Sequence, residues 1–232
     1  MIVKGFLLIL FLFAAQLAAQ DRGERLPPSI QTSGEAKVTA EPDRAQIDLG
    51  VVTQASSSQA AAEQNARKLD ATLSRLRQML GPGADIKTIS YTIQPNYRYP
   101  KEGGEPEITG YTATNIVRII LDDLKRVGSV IDASTQAGAN RVQNLQFMLR
   151  SEDAVQAQAL REAATKARNK ADALASALGL KILRVLSVVE SSPNVIPVRD
   201  VAFARAEAAA TPIEPGTIEV RATVTLRVEI GP

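Results

Sequence analysis

The clearest pattern in the chain is at its end. Ile218, Val220, Ala222, Val224, Leu226, Val228 and Ile230 alternate with Glu219, Arg221, Thr223, Thr225, Arg227 and Glu229. Successive strand side chains point to opposite faces, so this segment predicts a strand with the apolar set buried and the polar set in water. Ala45, Ile47, Leu49 and Val51 show the same period, and further strand-like runs cover about 30–40, 86–93, 107–121, 141–149 and 181–189. A helical period recurs three times between them. Ala62, Ala66, Leu69, Leu73, Leu76 and Leu80 fall at intervals of 4, 3, 4, 3 and 4, with Ser56 to Ser58 as candidate N-caps and Gly81-Pro82 as the stop. Leu124, Val127, Val130 and Ile131 mark a shorter helix, capped by Asp122 and ending near Gly138. Ser151 opens the longest, with the stripe Leu160, Ala163, Ala167, Ala171, Leu174 and Leu178 and a stop at Gly179. Its small residues let it sit close to a sheet or a partner helix.

The order is ββ-α-ββ-α-β-α-ββ, which predicts an α+β fold with a largely antiparallel sheet packed by amphipathic helices. The segments after 41 and after 140 both read strand, helix, strand, strand, which suggests a pseudo-repeat. Glu41-Pro42-Asp43 suits a tight turn. Two connections stand out as loop insertions. The first, 95–106, carries Gly103-Gly104 and reads as an exposed, mobile hairpin loop. The second, 191–216, holds four prolines and the alanine-rich 202–210. Loops longer than about 12–15 residues are usually functional or disordered, and 200–210 is a candidate short helix.

The start of the chain belongs to targeting. Lys4 precedes the apolar run Phe6 to Ala15, and the small residues Ala18 and Ala19 follow. That is the layout of a secretory signal peptide over 1–20. The alternative is an uncleaved anchor, but the run is shorter than the roughly 20 apolar residues that span a bilayer. Residues 21–29, with Pro27-Pro28, read as a flexible leader, and 30–232 as one domain. The expected location is the periplasm, with no membrane span after cleavage.

Composition narrows the chemistry. The chain has no histidine and no cysteine. Ser-His-Asp and Cys-His hydrolysis, thiol redox chemistry, a zinc site of the usual ligands, disulfides and lipid attachment at a cysteine are thereby excluded. Without 1–20, 26 basic residues face 25 acidic ones, which leaves no electrostatic footprint for nucleic acid. No cofactor is expected.

Several stretches carry a resemblance. They are Ser33-Gly34-Glu35-Ala36 with Val38, Pro42-Asp43-Arg44-Ala45, and Thr88-Ile89 before Tyr91. Ile108-Thr109-Gly110-Tyr111 leads to Thr114-Asn115, and Gly138-Ala139-Asn140 to Phe147. Ala167-Arg168-Asn169-Lys170-Ala171 precedes Ala175, Ala177, Leu178 and Gly179, and Thr211-Pro212-Ile213 with Pro215-Gly216 precedes the last strand. In order and spacing they resemble the SIMPL-domain family over nearly the whole mature chain. The resemblance implies an α+β domain, export in bacteria and, in some members, homo-oligomeric assembly. It brings no catalytic motif, and for some bacterial members it implies an association with resistance to oxidative stress.

Few residues qualify as a site. Tyr97-Arg98-Tyr99 is an aromatic and basic cluster on the 95–106 connection, suited to a partner subunit or an envelope polymer, with a solvated hairpin tip as the plainer reading. Tyr111 follows Gly110 at the head of a strand, where packing competes with ligand contact. Gly138-Ala139-Asn140 offers a backbone anion nest, although a helix C-terminus explains it better. Glu162 and Lys166 at i, i+4 read as an exposed ion pair, and Asp122-Asp123 as capping acids. The expectation is an exported, non-enzymatic, homo-oligomeric component of envelope maintenance or stress protection. A periplasmic ligand- or polymer-binding module using Tyr97, Arg98, Tyr99 and Tyr111 is the alternative, and an enzyme limited to carboxylates or tyrosine comes third.

Overall fold

A computed structural model describes residues 27–101, 103–198, 211 and 213–232. The expected signal segment 1–20 and the candidate helix 200–210 lie outside the described residues. The chain is a mixed α/β protein of antiparallel sheets, with three α-helices among the described residues. Its strands are β1 (Ser29–Ala40), β2 (Arg44–Ala55), β3 (Asp85–Arg98), β4 (Glu107–Leu121), β5 (Arg141–Met148), β6 (Lys181–Val198) and β7 (Thr217–Gly231). The helices are α1 (Ser58–Leu80), α2 (Val127–Ala137), which follows a 3-10 turn at Leu124–Arg126, and α3 (Asp153–Ala177). One sheet runs β3-β4-β2-β5 and the other β1-β7-β6. The suggested pseudo-repeat holds in element order but not in pairing. β5 joins β2, while β1 takes the place beside β7 that β2 takes beside β4.

Two compact units are present. Lys37–Gln158 with Asn194–Arg221 make one; the described residues up to Ala36, with Ala159–Pro193 and Ala222–Pro232, make the other. In the first, Ala45, Ile47 and Leu49 of β2 and Val117, Ile119 and Leu121 of β4 meet Leu76 of α1 and Val127, Val130 and Ile131 of α2. Full burial of a side chain such as Ile47 or Leu76 contributes about 1.5–3 kcal/mol. In the second, Ala167 and Ala171 of α3 pack with Leu226 and Val228 of β7 and, less deeply, with Ile30, Ile182 and Ile230.

Both long helices keep the middle of the expected stripe, with Leu69, Leu73, Leu76 and Leu80 of α1 and Ala163, Ala167 and Ala171 of α3 facing inward, and depart from it elsewhere. α1 buries Ala61, Asn65, Thr72 and Leu76, while Ala66 is exposed. Asn65 takes the inward place because its Nδ2 donates to the carbonyls of Val51 and Ala113, on the adjacent strands β2 and β4. α3 buries Ala159, Ala163, Ala167, Ala171 and Ala175, four residues apart, and leaves Leu174 and Leu178 exposed. The cause is close approach: a Cβ on Gly34 of β1 would lie 2.1 Å from the Ala163 carbonyl oxygen and 2.4 Å from the Ala167 nitrogen. Thr32 donates its hydroxyl to the Ala167 carbonyl at 2.7 Å. Backbone meets backbone there, so only alanine fits.

Three local expectations also change. Asp123, not Asp122, caps the turn before α2, accepting from the Lys125 amide. Asp122 instead pairs with Arg44 and Arg150. Glu219 does not face water; it is buried between Lys37 and Arg221. The helix terminus at Gly138 is as expected, its amide donating to Ser134 and Thr135 carbonyls. Asn140 then extends the β2 edge by one step, its side-chain amide both donating to and accepting from the Val52 backbone.

Candidate functional site

β2 ends at Ala55, paired with Tyr111, so among the described residues the part of β4 before Tyr111 has β3 as its only strand neighbour. Residues 96–98 and 107–110 therefore form a two-stranded arm beyond the sheet. β3 runs through Pro95 to Arg98, so Tyr97 and Arg98 sit on a strand, where a loop from 95 was expected, and only Tyr99 lies past its end. Proline is tolerated because β3 is the edge of its sheet, where a missing amide breaks no ladder bond. Thr109 is bulged out between the pairs Asn96–Gly110 and Tyr97–Ile108. At the base of the arm a Cβ on Gly110 would lie 2.8 Å from the Ala55 carbonyl oxygen, so glycine lets β4 pass the end of β2.

The alternation of β3 places Tyr91, Ile93, Pro95 and Tyr97 on one face, with Tyr111 and Ile108 opposite Pro95 and Tyr97 on that face. Tyr97 is 50% exposed, Tyr99 71% and Ile108 52%. The Tyr97 and Tyr99 rings are tilted at 45° with centroids 6.5 Å apart, an arrangement that aromatic quadrupoles favour. Tyr111 is half-buried and lies opposite Pro95 at the base of the patch. Arg98 does not join them; it lies opposite Glu107, and its guanidinium donates to that carboxylate at 2.6 Å. Thr109 donates to the Asn96 carbonyl and Thr112 to the Asn96 side-chain oxygen, which ties the arm together from within. The patch thus contains two of the four expected residues at its centre, one at its base, and one outside it. Tyr91, Ile93 and Ile108 belong to it without having been singled out. Tyr91 and Ile93 share the parity of Tyr97 along one strand, which a loop reading from 95 conceals, and Ile108 joins them through its pairing with Tyr97.

Two cavities in the larger unit bear on chemistry. One, about 290 Å³, is lined by Arg44, Asp85, Asp122, Asp123 and Arg126 among others. Its carboxylates already have partners. Arg44, with help from Arg150, holds the Asp122 carboxyl below its usual range, Asp85 pairs with Lys87, and Asp123 caps Lys125. A general acid needs a carboxyl whose pKa is raised, the opposite of what Arg44 does to Asp122. The other, about 510 Å³, runs between β5 and residues 213–216 and is lined by Val142, Leu145, Phe147 and Ile213 with Glu214. Beyond it, Thr211 donates its amide and hydroxyl to Asp132 of α2, and these bonds lower the pKa of that carboxyl. Among the described residues no group of three or more acidic side chains converges as a metal site. Also among them, no helix is long and apolar enough to cross a membrane.

Antiparallel sheets under alanine-lined and leucine-lined helices define an α+β protein, and among the described residues Tyr97 and Tyr99 stand exposed on the two-stranded arm. The chain belongs to the SIMPL family, described as a protein of unknown function (DUF541), which it matches over residues 30–228. It is 30% identical over 200 residues to the 26 kDa periplasmic immunogenic protein of Brucella melitensis, covering 85% of this chain and 78% of that protein. It is 29% identical over 182 residues to the uncharacterized protein YggE of Escherichia coli K12, covering 78% of this chain and 73% of the relative. The YggE protein of Edwardsiella ictaluri is 26% identical over 174 residues, covering 74% and 72%.

Proposed function

We propose that this chain is an exported, non-enzymatic protein that works as a homo-oligomer in the cell envelope, in maintenance or stress protection. Residues 1–20 are its export signal, and the mature domain acts in the periplasm, the compartment named for the Brucella relative. The observation that carries the reading is the uncovered arm. A two-stranded ribbon is marginal by itself in water, and this one presents Tyr97, Tyr99 and Ile108 to solvent. Tyrosine is enriched among the anchors of protein contacts. The absence of histidine and cysteine removes the commonest routes to catalysis, so protection against oxidation works through structure or partners. Sedimentation of the chain from Asp21 onward tests this. Assembly is expected at tens of micromolar, and a strict monomer there overturns the homo-oligomeric reading.

The groove beside β5 favours a second reading, a periplasmic module binding a ligand or polymer. A thermal-shift screen with peptidoglycan fragments, lipids and small metabolites separates the two, because a scaffold gives no hit in any class.

A further inference from the structure

β6 is the second uncovered surface, and it lies at the end of the sheet order β1-β7-β6. Its outer edge carries no strand among the described residues. Ile182 turns inward to the alanine-lined core, while Leu183, Val185, Val188 and Val189 are 59%, 46%, 60% and 60% exposed. A long apolar strand edge is a template for pairing, and soluble proteins ordinarily blunt it with charge or proline. Here Pro193 and Pro197 interrupt only the far end, and the stretch 182–189 has Arg184 as its one charge.

We propose that β6 pairs antiparallel with β6 of a second copy of this chain, about a two-fold axis at Ser187, to make a continuous six-stranded sheet. This rests on the homo-oligomeric reading and names one of its contacts. The occupant follows from charge and register. A two-fold axis normal to the sheet keeps like faces together, so opposed residues must share parity. Centred on Ser187, the pairing sets Val185 against Val189, Leu186 against Val188, and Arg184 against Glu190, each pair occurring twice. Centring on Leu186 or Val188 sets Arg184 against Val188 or Ser192 instead, and both ion pairs are lost. Glu190 has no ion-pair partner in its own chain among the described residues; Arg184 reaches Glu229 at 2.6 Å and leaves guanidinium nitrogens for a second carboxylate. Opposite charges placed directly across strands stabilise pairing, and like charges oppose it. Pro193, which has no amide to donate, ends the paired zone.

The register can be tested by mixing. Arg184→Glu alone sets Glu against Glu190 twice, and Glu190→Arg alone sets Arg against Arg184 twice. Each variant by itself is expected to weaken self-association about tenfold, while an equimolar mixture regains the native value. A cysteine-free chain allows a second readout. Ser187→Cys lies on the axis, where opposed Cα atoms about 4.5–5.5 Å apart are within disulfide reach, so oxidation is expected to yield a covalent dimer. Gln78→Cys, exposed on α1, serves as the control. If the native chain assembles but the mixture shows no recovery and Ser187→Cys cross-links no faster than Gln78→Cys, the β6 contact is overturned and assembly proceeds through another surface. If the native chain is monomeric, the contact and the homo-oligomeric reading both fall.

Discussion

Gly34 lies against α3 with no room for a methyl group. The atoms a Cβ would strike are backbone, at 2.1 and 2.4 Å, and backbone inside a helix cannot swing aside as a side chain can. Gly34→Ala is therefore expected to cost about 3 kcal/mol or more, near the upper end for overpacked cores, read as a lowered urea midpoint at unchanged slope. A change below about 0.5 kcal/mol, typical of an open surface position, contradicts this packing. Asn65 makes the opposite case, a polar group in an apolar place. It is 1% exposed, and its amide nitrogen serves the carbonyls of Val51 and Ala113 while its oxygen has no partner. Asn65→Ala removes both bonds and is expected to cost about 1–3 kcal/mol. Chemical denaturation measures it, and unchanged stability means that these bonds contribute nothing net.

At the scale of elements, the arm and the body of the sheet should respond differently. Tyr97→Ser with Tyr99→Ser removes two rings that are 50% and 71% exposed, so unfolding free energy should move by less than about 1.5 kcal/mol. Under the proposed function the same double variant shifts sedimentation toward smaller species, and full-size assemblies from it remove the arm as a contact. Much of the architecture was legible from periodicity, because β7 and β2 alternate and the helices repeat at 3.6 residues. What escaped were the places where backbone proximity or a partner overrides hydrophobicity. Leu174 and Leu178 read as the inward stripe of α3, yet the closeness of β1 admits only alanines. Glu219 read as solvent-facing by parity, yet Lys37 and Arg221 meet it in a buried position. Pro95 and Pro193 read as loop residues, yet both lie in edge strands, where proline does little harm. For the same reason the arm was found through Tyr97 and Tyr99, while the rest of its face was not.

At the scale of the whole molecule, the partnered carboxylates with lowered pKa values are spread unequally over the two units among the described residues. The carboxylates whose pKa values are lowered are Asp122, by Arg44 first; Asp132, by the Thr211 hydroxyl first; and Glu219, by Lys37 first and then Arg221. All three belong to the unit of Lys37–Gln158 and Asn194–Arg221. A carboxyl with a lower pKa folded than unfolded binds protons more readily in the unfolded chain. Its stabilisation is complete above the unfolded value, about 4, and is lost as pH falls through the lower folded value. Acid should therefore loosen this unit first. Amide exchange followed from neutral pH to about pH 3, with rates corrected for their intrinsic pH dependence, is expected to lose protection earlier in β2, β4 and α2 than in α3. The variant Asp122→Asn, Asp132→Asn, Glu219→Gln has no such carboxyls to titrate. It should be less stable than the native chain at neutral pH and show a flatter decline in acid. Equal loss of protection in both units, or an acid profile unchanged in the triple variant, would place the acid sensitivity in groups other than these three.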